Sequence, residues 1–185
     1  AIGIPAETRN ILVVGGSLGA RKLTEAILDH AQEIALHPEL TILLQTGAGD
    51  FAAMRARVAE AGVKNIVLTA FITRMECAYA AADLIVSRAG AIAISELCIV
   101  AKPVILVPSP YVAEDHQTKN ARVLEECGAA LLICEADAST RLWKEIEDLL
   151  TDDRRKEAMH LALRELARPK ASAEIASQIV ALGDK

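Results

Sequence analysis

Along the chain, short unbroken runs of Val, Ile and Leu alternate with longer stretches in which apolar residues recur about once per helical turn. The runs Ile11–Val14, Thr41–Gln45, Ile66–Thr69, Asp83–Val86, Pro103–Val107 and Ala129–Ile133 are of strand length. They do not alternate in polarity, which predicts strands covered on both faces. Leu23, Ile27, Ala31 and Ile34 mark the inner face of one helix, with Arg21, Lys22, Glu25 and Glu33 outside and His37-Pro38 as its end. A second helix is expected over Asp50–Ala61 with Gly62 as its stop, and a short alanine-rich helix ends near Ala82. Ala91 to Ala101 is almost wholly apolar, so a short buried helix is expected there, with Glu96 its only charge. Asp115 is placed to cap a helix carrying Gln117 and Asn120, and helices over Ser139–Leu150, Asp152–Leu166 and Ala171–Leu182 close the chain. This alternation predicts an α/β fold, a Rossmann-like doubly wound parallel sheet of about six strands with right-handed crossovers. Residues 1–10, with Pro5, read as a linker, and residues 11–185 as one domain.

Composition narrows the partners. With 185 residues the chain suits a single core, and 52% apolar residues with only 3% aromatic ones describe a core of Ala, Val, Ile and Leu. A net charge of −5 without a basic stripe argues against nucleic acid while leaving room for a small diphosphate. Cys77, Cys98, Cys127 and Cys134 form no C-x-x-C pair and read as reduced core thiols of a cytoplasmic protein. No apolar run reaches the ~18 residues of a membrane span. Neither a D-x-D pair nor H-E-x-x-H is present, so no metal and no other cofactor is expected.

In sheets of this kind ligands lie outside the carboxyl ends of the strands, where Gly15–Ala20, Phe71–Met75, Ser87–Glu96 and Pro108–Asn120 would gather. Gly15, Gly16 and Gly19 let backbone approach an anion at a helix N-terminus, although the same glycines would serve a plain tight turn. The spacing is not G-x-G-x-x-G, and the second strand ends in Gln45 rather than an acidic ribose ligand, which weighs against a dinucleotide. Ser17 is either a helix cap or a phosphate donor. Gly90-Ala91 opens a second helix toward the same crevice. Glu96 either accepts from both hydroxyls of a ribose diol or is a core acid paired with Arg88 or a backbone donor. Gln117 and Asn120 either read sugar hydroxyls or are solvated. His30, His37, His116 and His160 have no nucleophile beside them and read as surface imidazoles, so no catalytic set is visible.

Taken together, V-V-G-G-S-L-G-A at Val13–Ala20, A-A-A-D-L-I-V-S-R-A-G-A at Ala80–Ala91, S-E at Ser95-Glu96 and H-Q-x-x-N-A at His116–Ala121 resemble the MurG family. Those enzymes are GT-B glycosyltransferases that transfer GlcNAc from UDP-GlcNAc to lipid I, making lipid II in peptidoglycan synthesis. The resemblance covers the C-terminal, donor-binding half, from about Asn10 onward. It implies that Gly16, Ser17 and Gly19 meet the diphosphate and that Ile72 meets uracil through its backbone. It further implies that Gly90, Ala91, Ile92, Ala93, Ile94 and Ser95 continue that contact, that Glu96 holds the ribose, and that Gln117 reads GlcNAc with Asn120 close by. Ala93 stands where the family often has a hydroxyl residue, which leaves one phosphate contact to backbone. The acceptor domain and the catalytic base would precede residue 1, so this chain is expected to bind without turnover. The full enzyme is expected to be inverting, cytoplasmic and peripheral on the inner membrane. Alternatives are a single-domain GlcNAc transferase subunit of dolichol-linked glycan synthesis, a UDP-sugar epimerase or a transferase using another sugar, a nicotinamide oxidoreductase and a non-transferase nucleotide-binding domain.

Overall fold

The computed structural model describes residue 5 and residues 7–183. Of the expected linker, residues 1–4 and 6 lie outside the described residues, and Arg9 and Asn10 already belong to the first strand. In chain order the elements are β1 (Arg9–Val14), α1 (Arg21–Leu28), α2 (Ala31–Ile34), β2 (Leu40–Gln45), α3 (Phe51–Ala61), β3 (Ile66–Thr69), α4 (Met75–Ala81), β4 (Leu84–Ser87), α5 (Ala91–Val100), β5 (Val104–Leu106), α6 (His116–Glu126), β6 (Leu131–Leu132), α7 (Ala138–Thr151), α8 (Asp153–Leu166) and α9 (Ala171–Gly183). The strands form one six-stranded sheet in the order β3-β2-β1-β4-β5-β6. Every pairing is parallel.

The unbroken apolar runs are explained by the two cores they serve. Ile11 and Val13 of β1 face one side with Ile42, Leu44, Leu84 and Val86, covered by α1 and by Leu142, Trp143 and Ile146 of α7. Leu12 and Val14 face the other with Leu43, Ile85 and Leu106, covered by Ala78 and Tyr79 of α4, Leu97 of α5, Leu124 of α6 and Leu163 of α8. A strand buried on both faces has no polar side to show. Truncating a core residue such as Leu12 to Ala would therefore cost about 2–5 kcal/mol.

Several local expectations change. The helix through Leu23 and Ile34 breaks at His30, whose N–H reaches back only to the Ile27 carbonyl at 3.2 Å. Its ring is meanwhile drawn to the Ser139 carbonyl at 2.9 Å. Helix α5 is not a buried helix, because Leu97 and Cys98 are its buried residues while Ile92 and Ile99 are 79% and 54% exposed. Asp115 occupies the N-cap position of α6 in a left-handed conformation (φ 51°) and makes no side-chain cap. Of the cysteines, all free, Cys98 alone is buried, and Cys127 and Cys134 are exposed. Gly62 does end α3, at φ 69°. Helix α9 buries none of its side chains.

Candidate functional site

The register sets the site. Val14 lies opposite Gln45 and Ser87, Gln45 opposite Thr69, and Ser87 opposite Leu106, so the loops after β1 to β5 leave the sheet side by side. Strands β1 and β4 are neighbours, and the sheet continues from them in opposite directions. Helix α1 therefore starts beside α5 at the point where ligands settle in doubly wound sheets. Neither helix start is satisfied by the chain itself. The N-cap positions are Ala20 and Gly90, no side chain caps either end, and no acid stands in either first turn. Two sets of free N–H groups and two positive dipole ends thus lie at the carboxyl edge of neighbouring strands.

The glycine loop divides between architecture and opening. Gly19 sits at φ 81°, and a Cβ there would lie 2.0 Å from the Thr46 carbonyl oxygen. Its N–H closes the turn onto the Gly16 carbonyl at 2.9 Å. Across from it, a Cβ on Gly47 would lie 2.3 Å from the Leu18 carbonyl oxygen, so the two loops pack backbone to backbone. Gly90 is different: its φ of −68° suits any residue, and a Cβ would meet nothing within 4 Å. Neither backbone strain nor internal packing calls for glycine there, where the chain opens onto the crevice. Ser17 is exposed and caps nothing, since Ala20 holds the cap position of α1.

Ile72 is buried, and its N–H donates to Oε1 of Gln45 at 3.1 Å. The same Gln45 donates through Nε2 to the Gly16 carbonyl at 2.8 Å. This amide, itself buried, ties the loop after β1 to the connection after β3. In the sequence Gln45 stands out only as a missing acid.

Glu96 is exposed, not a core acid, and accepts a hydrogen bond from the Tyr79 hydroxyl at 2.9 Å. The alternative partner Arg88 turns away: its guanidinium donates to the Val107 and Pro108 carbonyls and pairs closely with Glu135. Burial first, and then the hydrogen bond to Glu96 and its charge, push the Tyr79 phenol above its ordinary value, so it stays a donor throughout the neutral range. Tyr79 escaped the sequence reading, although a lone phenol among alanines needs a partner for its hydroxyl.

Ser95 is exposed and returns its hydroxyl to the Ala91 carbonyl at 3.0 Å. Ala91 and Ile92 are exposed, and Ala93 and Ile94 half-buried. Gln117 and Asn120 are not free solvated amides. Gln117 Oε1 accepts from the Ser109 N–H at 3.0 Å, and Asn120 Nδ2 donates to the Ala89 carbonyl at 3.2 Å. Each braces a crevice loop, and Gln117 keeps its NH₂ for another acceptor. Among the histidines, His30, His37 and His160 are half-buried rather than on the surface; His30 and His160 each engage a backbone carbonyl, and the His37 ring lies against Trp143.

A six-stranded parallel sheet of this order, with glycine-lined loops and uncapped helices at its carboxyl edge, is the architecture of the C-terminal domains of GT-B glycosyltransferases. Within that class, the chain belongs to the glycosyltransferase family 28 C-terminal domain family, which it matches over residues 10–178. It is 37% identical over 185 residues to the UDP-N-acetylglucosamine--N-acetylmuramyl-(pentapeptide) pyrophosphoryl-undecaprenol N-acetylglucosamine transferase of Bacteroides thetaiotaomicron, with 100% of this chain and 50% of the relative covered. The protein of the same name from Porphyromonas gingivalis is 42% identical over 174 residues, covering 94% and 46%. Among solved structures, Acinetobacter baumannii MurG superposes with a TM-score of 0.81 at 32% identity, covering 96% of this chain and 51% of that one. The chain spans about half the length of the curated relatives it matches. No helix among the described residues is long and apolar enough to cross a membrane.

Proposed function

We propose that this chain is the donor-binding half of an inverting glycosyltransferase that moves GlcNAc from UDP-GlcNAc to lipid I, forming lipid II in peptidoglycan synthesis. The observation that carries the reading is the pair of uncapped N-termini, α1 and α5, following neighbouring strands at the carboxyl edge of the sheet, with Glu96 accessible on α5. Two positive helix ends suit the two phosphates of UDP. Gly16 and Ser17 with the start of α1 take one phosphate, and Gly90 and Ala91 with the start of α5 the other. The uracil lies against Ile72, whose carbonyl accepts from the base. Glu96 accepts from the ribose diol, and the free NH₂ of Gln117 reaches the sugar. The names of the bacterial relatives support the choice of donor and acceptor.

In the transfer, the acceptor hydroxyl attacks the anomeric carbon, the bond from that carbon to the UDP oxygen breaks, and the acceptor proton passes to a base outside this chain. The residues of this chain act on the leaving group: the helix ends stabilise the negative charge that gathers on the departing diphosphate. The chain alone binds donor without turnover, and the full enzyme works at the cytoplasmic face of the membrane, where its lipid acceptor is held. The nicotinamide alternative lacks its acid, since Gln45 is occupied in tying two loops together.

Calorimetric titration with UDP-GlcNAc, UDP-GalNAc, UDP and NAD, repeated on Glu96→Ala, tests this reading. Binding of both UDP and UDP-GlcNAc that depends on Glu96 is expected. Tight NAD binding, or UDP binding indifferent to Glu96, overturns it, and GlcNAc transfer to a lipid I analogue by the chain alone overturns the division of labour.

A further inference from the structure

Glu96 is an exposed carboxylate with a choice of cations nearby, and none of them takes it. Arg88 is committed to Glu135 and to the carbonyls of the next loop. Lys102 lines the same α4–α5 groove as Glu96 but donates to the Ala80 and Ala82 carbonyls. The hydroxyl of Ser95, the preceding residue, is folded back onto its own helix. What reaches Glu96 is the hydroxyl of Tyr79, 2.9 Å from Oε2, on a residue only 7% exposed and packed in the core with Ile72 and Leu97.

The difference between a cation and a phenol matters here. A guanidinium would fork onto both carboxylate oxygens and compete with a diol for them. A single neutral hydroxyl uses one lone pair on one oxygen, keeps the full negative charge, and leaves the other acceptor sites open. Because the ring is fixed in the core, the hydroxyl is a fixed point, and it restrains a side chain on an exposed helix face that would otherwise sample several rotamers. Burial also keeps the phenol protonated, so the donor persists at any pH at which the chain would work.

We infer that Tyr79 is a positioning residue for ribose recognition: its hydroxyl locks the Glu96 carboxylate in the orientation that accepts a cis-diol, so discrimination between ribose and its deoxy forms depends on both residues. This rests on the reading of Glu96 as the ribose ligand, and the experiment separates the two. UDP and 2′,3′-dideoxy-UDP are titrated into the chain, Tyr79→Phe, Glu96→Ala and the double variant, with thermal melts to check that each is folded. Tyr79→Phe keeps the ring and its packing. It is expected to weaken UDP by about 3- to 10-fold while changing dideoxy-UDP by less than about twofold, and to add nothing in the Glu96→Ala background. Equal weakening of both ligands means that Tyr79 serves structure alone and overturns the inference. Unchanged UDP affinity in Tyr79→Phe overturns it as well, with the Glu96 reading intact if Glu96→Ala still loses ribose preference. If Glu96→Ala preserves the preference for UDP over dideoxy-UDP, the ribose reading itself falls.

Discussion

The two ends of the sheet both gather polar groups, and they differ in what those groups are doing. At the amino end, a cavity of about 480 Å³ is lined by Arg9, Asp83, Lys102, Lys156 and His160. Most of its charges are spent within the chain. Lys156 donates to the Leu150 carbonyl at 2.9 Å and pairs with Asp153 at 2.7 Å, and His160 reaches the Ala101 carbonyl at 2.6 Å. Asp83 accepts from the Asn10 N–H at 2.7 Å, and Lys102 is held by two carbonyls. At the carboxyl end, by contrast, helix starts are uncapped, Gly90 opens outward and Glu96 is matched only by a neutral hydroxyl. The lesson is that a binding site is marked by polar capacity left over after folding rather than by the number of charged residues around a hollow.

The contrast can be broken experimentally, beginning where the effect is largest. Gly47→Ala forces a Cβ against the Leu18 carbonyl at φ 79°, so a stability loss of about 2 to 5 kcal/mol is expected from denaturant unfolding. Glu96→Ala, at an exposed position, should leave the unfolding midpoint nearly unchanged while weakening UDP by about 1.5 to 3 kcal/mol in calorimetry. Gln45→Leu leaves the Ile72 N–H unpartnered and takes one of its two donors from the Gly16 carbonyl, and is expected to weaken stability and UDP binding together, each by about 1 to 2 kcal/mol. At the opposite end, His160→Ala should leave UDP affinity within about twofold. A larger change would mean that the amino-end cavity belongs to the site.

The smallest effect is an alkaline one of opposite sign at two positions. Burial lowers the Lys102 ammonium below its ordinary value against the pull of Asp83. The unfolded chain then holds that proton longer, and stability rises as pH climbs from the folded value toward about 10.4. The Tyr79 phenol is raised, by burial and then by Glu96. Above about pH 10 the unfolded chain loses that proton first, and stability falls through the raised folded value. Urea unfolding from pH 8 to 11 should show a shallower rise in Lys102→Met and a weaker fall in Tyr79→Phe; identical pH profiles in all three proteins would refute both assignments.

The sheet was legible because burial on both faces writes itself as an unbroken apolar run, and β3 begins and ends where Ile66 and Thr69 indicate. The loops that gather at the carboxyl edge follow from that. What escaped was of another kind. An apolar helix reads as buried whether or not the chain covers it, so the exposure of Ile92 and Glu96 on α5 was hidden. The Gln45–Ile72 and Tyr79–Glu96 bonds join residues 27 and 17 positions apart, and no local spacing announces them. His30 broke a helix that periodicity alone would continue, because its partner Ser139 lies 109 residues away.

The contact between Gly19 and Gly47 has a bearing on protein engineering. With each backbone filling the space that a Cβ on the other would need, the first loop fits only beside a second loop of the same shape. Gln45 then sets how far the pair stands from Ile72. The glycine loop is accordingly not a cassette. Transplanted alone onto another Rossmann sheet it would lose its turn, and the smallest transferable unit runs from Val13 through Ile72.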